Sequence, residues 1–153
     1  MTTLFVVRHA RAGRRDEWDG ADEDRPLSKA GRRQAKKLSA RLKDEPITRI
    51  VSSPYVRCVQ SVEPLAEQLR RSVEESDGLA EGAPAEDVRD LLDKCGREVT
   101  VLCTHGDVIE LILDDVRSHG VKLKKPVHYG KGSVWEFVVD DGSITGAKYH
   151  PAP

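Results

Sequence analysis

No apolar run in this sequence approaches the length needed to cross a bilayer, so no membrane-spanning segment is expected. Too little chain precedes the first strand-like stretch for a signal peptide, and the expectation is a soluble, cytoplasmic protein. Cysteine is scarce: Cys58, Cys95 and Cys103 are odd in number and lack CxxC spacing. A disulfide framework is therefore not expected, and the thiols read as reduced. Cys103 lies in an apolar stretch as core filler, and packing also outweighs reactivity as the reading of Cys58. Neither sign of charge dominates, with Lys+Arg 25 against Asp+Glu 26 and a formal net charge of -1. No overall field draws the chain to a nucleic acid polymer or an anionic membrane. Neither GxxxxGK[ST] nor GxGxxG occurs, which leaves P-loop and Rossmann nucleotide handling unsupported. Repeats and low-complexity segments are also missing. The 153 residues, 38% of them hydrophobic, suit a single domain over 1–153 with one buried core.

What the sequence does have is a plan repeated three times. Leu4-Phe5-Val6-Val7 runs straight into Arg8-His9-Ala10. Ile50-Val51-Ser52-Ser53 leads into Pro54-Tyr55-Val56-Arg57, and Val99-Thr100-Val101-Leu102-Cys103 leads into Thr104-His105-Gly106. Short apolar runs of this kind read as strands buried on both faces of a parallel sheet. Open α/β sheets place ligand sites just past the C-terminal ends of such strands. If the strands are parallel neighbours, Arg8, His9, Arg57 and His105 converge on one crevice.

The intervening segments read as helices, loops and a hairpin. Ser28 caps a helix with Ala35, Leu38 and Leu42 on its apolar face. The basic opposite face of that helix carries no interleaved aromatics and reads as solvated surface. Ser53-Pro54 resembles an N-cap followed by proline at the first helical position, which puts Arg57 in the first turn of the next helix. A kink or restart is expected near Glu63, because Pro64 interrupts the pattern. A weak strand candidate at 72–76 and a turn-rich loop at 77–84 precede a helix carrying Val88, Leu91 and Leu92. Val108 to Val116 is apolar nearly all round, as in a helix buried against a sheet. Strands near 134–139 and 144–149 are joined through Asp141-Gly142, a hairpin signal. The polar loop after His9 is either solvated or a flap over the crevice, with Arg14 or Arg15 touching the substrate.

One histidine after a strand is usually structural; two arginines and two histidines after three strand ends are harder to dismiss. A divalent metal is a competing ligand, but two arginines repel a cation, and no HxH or HxxxH spacing is present. Phosphate suits the set. Arginines fork onto its oxygens, and a neutral imidazole can attack phosphorus to give a phosphohistidine. A protonated second histidine would stabilise charge on the equatorial oxygens.

The segments "VVRHA", "SSPYVRCVQS", "CTHGD" and "LSKAGRRQA" resemble the histidine phosphatase superfamily, which includes phosphoglycerate mutases and phosphohistidine phosphatases. The resemblance spans Leu4 to Trp135. It implies a phosphoglycerate mutase-like, three-layer α/β/α fold around a mainly parallel sheet. It also implies His9 as nucleophile, a phosphate pocket of Arg8, Arg57 and His105, and transfer without metal or other cofactor. Ala10 stands where glycine is more usual. Glu81 in "LAEGAP" is the best positional match for the family's general acid; otherwise it is an exposed loop glutamate. Asp107 either caps the following helix or orients His105, capping being the more ordinary role.

The chain is short for a mutase, which favours an open site and hydrolysis. Its length and Arg-His-Ala start lean towards the short phosphohistidine phosphatase-like branch, and Glu81 leans towards phosphate esters. The expected substrate is a phosphorylated small molecule or a phosphohistidine protein. The alternatives are a phosphatase specific for nucleotide phosphates and a non-catalytic phosphate or phosphoprotein recognition module.

Overall fold

The computed structural model describes residues 1–153. The strands are β1 (Thr2–Arg8), β2 (Arg49–Ser52), β3 (Val73–Glu75), β4 (Thr100–Thr104), β5 (Val134–Asp140) and β6 (Ser143–His150). The helices are α1 (Lys29–Leu42), α2 (Val56–Leu69), α3 (Ala85–Lys94) and α4 (Gly106–Ser118). The strands form one six-stranded sheet in the order β3-β2-β4-β1-β5-β6. Pairing is parallel from β3 to β1 and antiparallel through β5 and β6.

Alternation along β1 shows why its apolar run is continuous. Leu4 and Val6 join one core with Leu102, Ile109 and Ile112, beneath α3 and α4. Phe5 and Val7 join the other with Leu38, Val62 and Leu65, beneath α1 and α2. A strand with helices on both faces needs apolar side chains on both. The result is the three-layer α/β/α arrangement expected.

Register then sets the crevice. Arg8 pairs with Thr104, and Ser52 with Cys103, so β1, β4 and β2 end level. The residues that follow them share one edge of the sheet. At the β5–β6 hairpin, Asp141 (φ 51) and Gly142 (φ 78) both take left-handed backbone, as a type I′ turn requires.

Two local expectations are corrected. Helix α2 begins at Val56, not after Ser53, and Tyr55 (φ -62, ψ 134) is still extended. The reason lies in the sheet: Ser53 N–H donates to Cys103 O at 2.9 Å, prolonging the β2 pairing past its last strand residue. Arg57 nevertheless falls in the first turn. Helix α2 also continues through Pro64, so of the kink or restart expected near Glu63 it is the restart that does not occur. Val62 and Leu65, both fully buried on either side of the proline, hold the helix against the core.

Candidate active site

His9 is placed by backbone hydrogen bonds that outlast β1. Its N–H donates to Thr104 O at 3.0 Å, and Ala10 N–H donates to Ser61 Oγ at 2.9 Å. The residue is 6% exposed. Nδ1 lies 2.8 Å from Ala10 O, a carbonyl that can only accept, so Nδ1 carries the proton and Nε2 keeps its lone pair. Burial is the main cause of a pKa lowered to about 3, helped by repulsion from His105, Arg57 and Arg8, while the Ala10 carbonyl pulls the other way. His9 is therefore a neutral imidazole at ordinary pH.

His105 lies between the end of β4 and the start of α4. Its ring meets that of His9 edge to face, with centroids 5.4 Å apart. Nε2 lies 2.9 Å from Ser53 Oγ and 3.5 Å from Cys58 Sγ, and Tyr55 packs on the ring at 4.6 Å.

The two arginines come from different elements, Arg8 from the end of β1 and Arg57 from the first turn of α2. Arg8 donates from Nη1 to Tyr129 O at 2.8 Å and lies against Gly106, where a Cβ would come within 3.0 Å of its guanidinium. Arg57, with a side chain only 1% exposed, donates from Nη1 to Asp22 O at 2.8 Å and from Nη2 to Asp22 Oδ2 at 3.0 Å. Glu81 Oε2 is 3.6 Å from the same Nη2. Arg57 also covers the Tyr55 ring at 4.9 Å.

Three buried nitrogens in this cluster have no hydrogen-bond partner: Arg8 Nε, Arg57 Nε and His105 Nδ1. Buried polar atoms are normally satisfied, and leaving one unmet costs about 1–3 kcal/mol. An anion in the crevice would meet donors of this kind. Lys131 also registers the positive field; burial, then repulsion from Arg8, Arg25, Arg57 and Arg11, pulls its pKa down. No group of three or more His, Cys, Asp or Glu side chains is placed to hold a metal ion.

Of the residues proposed from sequence, His9, Arg8, Arg57, His105 and Glu81 come together. Arg15 joins them at the rim, 3.3 Å from Glu81 and 3.5 Å from Asp22. Arg14 does not; it pairs with Asp16 and Glu17 on the surface. Asp107 takes neither of its expected roles. His105 is the residue that precedes α4, with no side-chain cap, and Asp107 Oδ2 instead accepts the Gly82 N–H at 2.8 Å.

Sequence reasoning missed Asp22 and Arg25. Asp22 receives Arg57, Arg15 and Arg25, the last at 3.0 Å. Partial burial would raise its pKa, but hydrogen bonds from Arg25 and Arg57 outweigh that and hold it below the usual carboxylate range. Arg25 is itself buried, and its signal was slight: an arginine beside Pro26, following an acidic run.

The histidine phosphatase superfamily (branch 1) model matches residues 4–85, more than half of the chain. The chain belongs to the histidine phosphatase superfamily. Among curated relatives, the 8-oxo-(d)GTP phosphatase of Mycolicibacterium smegmatis is 36% identical over 156 residues, covering 99% of this chain and 48% of the relative. The chain thus spans about half the length of the curated relative it matches. Among solved structures, the histidine phosphatase fold recurs in the protein histidine phosphatase SixA, determined with tungstate. Its TM-score is 0.78 at 18% identity, covering 97% of this chain and 94% of that one. Phosphoserine phosphatase of Entamoeba histolytica gives 0.70 at 18% identity, covering 95% and 94%.

In this histidine phosphatase domain a cleft of about 920 Å³, lined by Leu4, Leu92, Val116, Val139 and Ile144 among others, holds none of the clustered residues. No helix is long and apolar enough to cross a membrane.

Proposed function

We propose that the chain is a phosphatase working in two steps through a phosphoryl group carried on His9. The observation that carries this reading is a neutral, pre-aimed His9 imidazole among three buried nitrogens that lack partners. A phosphoryl group entering the crevice meets Arg8, Arg57 and His105 as donors, and His9 Nε2 supplies the electron pair. As the N–P bond forms, the bond to the leaving group breaks, and Glu81 gives that group its proton. Water then attacks the phosphohistidine, Glu81 takes a proton from it, and phosphate leaves with His9 neutral again. Charge building on the equatorial oxygens is met by fixed donors, which is the largest contribution in reactions of this kind. A recognition module that only bound phosphate would have no use for the neutral imidazole.

The substrate is a phosphorylated small molecule or a phosphohistidine. Within that range, the 36% identity to an 8-oxo-(d)GTP phosphatase favours a nucleotide phosphate. The likeness to the phosphohistidine phosphatase rests on the fold alone, at 18% identity.

Rapid quenching with labelled substrate tests the mechanism. Wild type should carry acid-labile, base-stable phosphate on His9, His9→Ala should neither label nor turn over, and EDTA should leave the rate intact. Label on a carboxylate or a cysteine, or an active His9→Ala, overturns it.

A further inference from the structure

Two side-chain hydrogen bonds clasp the loop that carries Glu81, and both come from the β4–α4 segment that carries His105. On one side, Thr104 Oγ1 donates to Leu79 O at 2.6 Å, in the buried interior. On the other, Gly82 N–H donates to Asp107 Oδ2 at 2.8 Å. Glu81 lies between the two attachments. Leu79 and Ala83 on either side belong to the buried core, whereas Glu81 and Gly82 stand exposed at the crest. Gly82 has φ +82, a conformation from which its N–H is offered to Asp107 at little steric cost.

From this geometry we infer that Asp107 is a positioning residue for Glu81, fixing the crest of the loop to the helix that follows His105. The inference rests on Glu81 being the proton donor proposed above. An exposed loop would otherwise sample many backbone states, each placing the carboxylate differently against the leaving group. The Thr104 bond fixes only the upstream foot. The Asp107 bond fixes the residue directly after Glu81; without it the crest keeps only its own turn, Ala83 N–H to Ala80 O at 3.0 Å, and the contacts of Glu81 with Arg15 and Arg57, while the foot stays in place. Its carboxylate also sits in the first turn of α4, where negative charge favours the helix. A variant that keeps the acceptor and drops the charge separates the two effects.

The test compares Asp107→Ala, Asp107→Asn and Glu81→Gln in burst-phase kinetics, which report phosphoryl transfer to His9 separately from its hydrolysis. An alkyl phosphate and nitrophenyl phosphate serve as substrates, with vanadate inhibition as a measure of the phosphate pocket. Asp107→Ala should slow transfer from the alkyl phosphate about tenfold or more, as small misplacements of a reacting group do. Transfer from nitrophenyl phosphate and inhibition by vanadate should be unchanged, and Asp107→Asn should recover most of the loss. Amide exchange over residues 80–83 should quicken in Asp107→Ala alone. If Glu81→Gln slows the alkyl substrate but Asp107→Ala does not, the positioning role falls and the proposed chemistry stands. Equal losses on both substrates, or weakened vanadate binding, would mean that Asp107 supports the whole pocket, and would overturn the inference. If Glu81→Gln has no effect on the alkyl substrate, the acid assignment falls and the positioning role falls with it.

Discussion

Ser53 Oγ lies 2.9 Å from His105 Nε2, and the same oxygen accepts the Tyr55 N–H at 3.2 Å. A hydroxyl has one proton to give and two lone pairs. With one lone pair occupied by Tyr55, its proton can be directed to Nε2, which makes His105 the Nδ1–H tautomer. Nδ1 is the buried atom without a partner, so Ser53 readies that proton for an anion.

Ser53→Ala should therefore release the tautomer while leaving His105 in place. Losing one aligned donor to the transition state should lower kcat by about tenfold, given that deleting an oxyanion donor outright costs about a hundredfold or more. Alkyl and aryl phosphates should suffer alike, and vanadate inhibition should weaken in parallel. Unchanged kinetics would reduce Ser53 to a space filler.

His9 makes stability depend on pH. Its folded pKa of about 3, lowered chiefly by burial, lies below the ordinary value of 6.5. Between those values the unfolded chain binds a proton that the folded one refuses, so stability falls as pH drops below 6.5 and the loss continues towards 3. The slope is about 1.4 kcal/mol per pH unit from this group. Above pH 6.5 His9 is neutral in both states and contributes no slope. Urea unfolding of wild type and His9→Gln between pH 7 and pH 4 measures the difference. The variant should lose less stability on acidification; identical slopes would mean that the imidazole is not held neutral by the fold.

The parts of the fold readable beforehand were those with one dominant physical signal. Buried strands such as Leu4–Val7 show as unbroken apolar runs because both faces are covered, and Asp141-Gly142 shows because few residue types accept its backbone. The four residues that gather in the crevice were legible for the same reason, each lying at a strand end or within a few residues of one. Ser53 was misread because its hydroxyl suits a helix cap as well as a histidine, and only the Cys103 pairing decides between them. Arg14 and Arg15 are adjacent and chemically alike, so the choice between surface and site depends on the direction of a short turn at 15–17. Asp22 was hidden because an acidic loop residue ordinarily faces water; its role depends on Arg15, Arg25 and Arg57 arriving from different parts of the chain.

Gly31 offers a test in which two effects oppose each other. Alanine in a helix interior is favoured over glycine by about 1 kcal/mol. Here, however, a Cβ would come within 1.8 Å of the Arg11 carbonyl oxygen. That carbonyl is held against α1 by the Ser28 N–H at 2.9 Å and the Ser28 hydroxyl at 3.1 Å. Backbone must move, and overpacking of that kind costs about 1–3 kcal/mol or more, so destabilisation should win. Arg11 is only two residues beyond His9, and kcat should fall as well. Thermal unfolding of Gly31→Ala, with Arg33→Ala on the exposed face as control, checks the sign. A Tm equal to or above wild type would show that the Arg11 loop yields freely.

Glu81 should matter in proportion to the leaving group's need for a proton. An alkyl phosphate expels a strongly basic alkoxide, nitrophenolate departs readily unprotonated, and the P–N bond of phosphohistidine is intrinsically labile. Glu81→Gln keeps the size of the side chain and removes the donor. The amide oxygen can still accept from one of its neighbours, Arg15 at 3.3 Å or Arg57 at 3.6 Å, and Arg57 keeps its two bonds to Asp22, so the local structure should survive. Transfer from an alkyl phosphate to His9 should fall by about a hundredfold, within the usual range for general acid catalysis. Transfer from nitrophenyl phosphate and from phosphohistidine should change little. The same carboxylate activates water in the second step, so steady-state turnover can slow on every substrate. That slowing is recognised by a larger burst and by accumulation of phospho-His9. If the transfer step is unaltered even for the alkyl ester, Glu81 is a loop residue bound to arginines, and the protein is better described as a phosphatase for labile phosphoryl groups that leave without a proton.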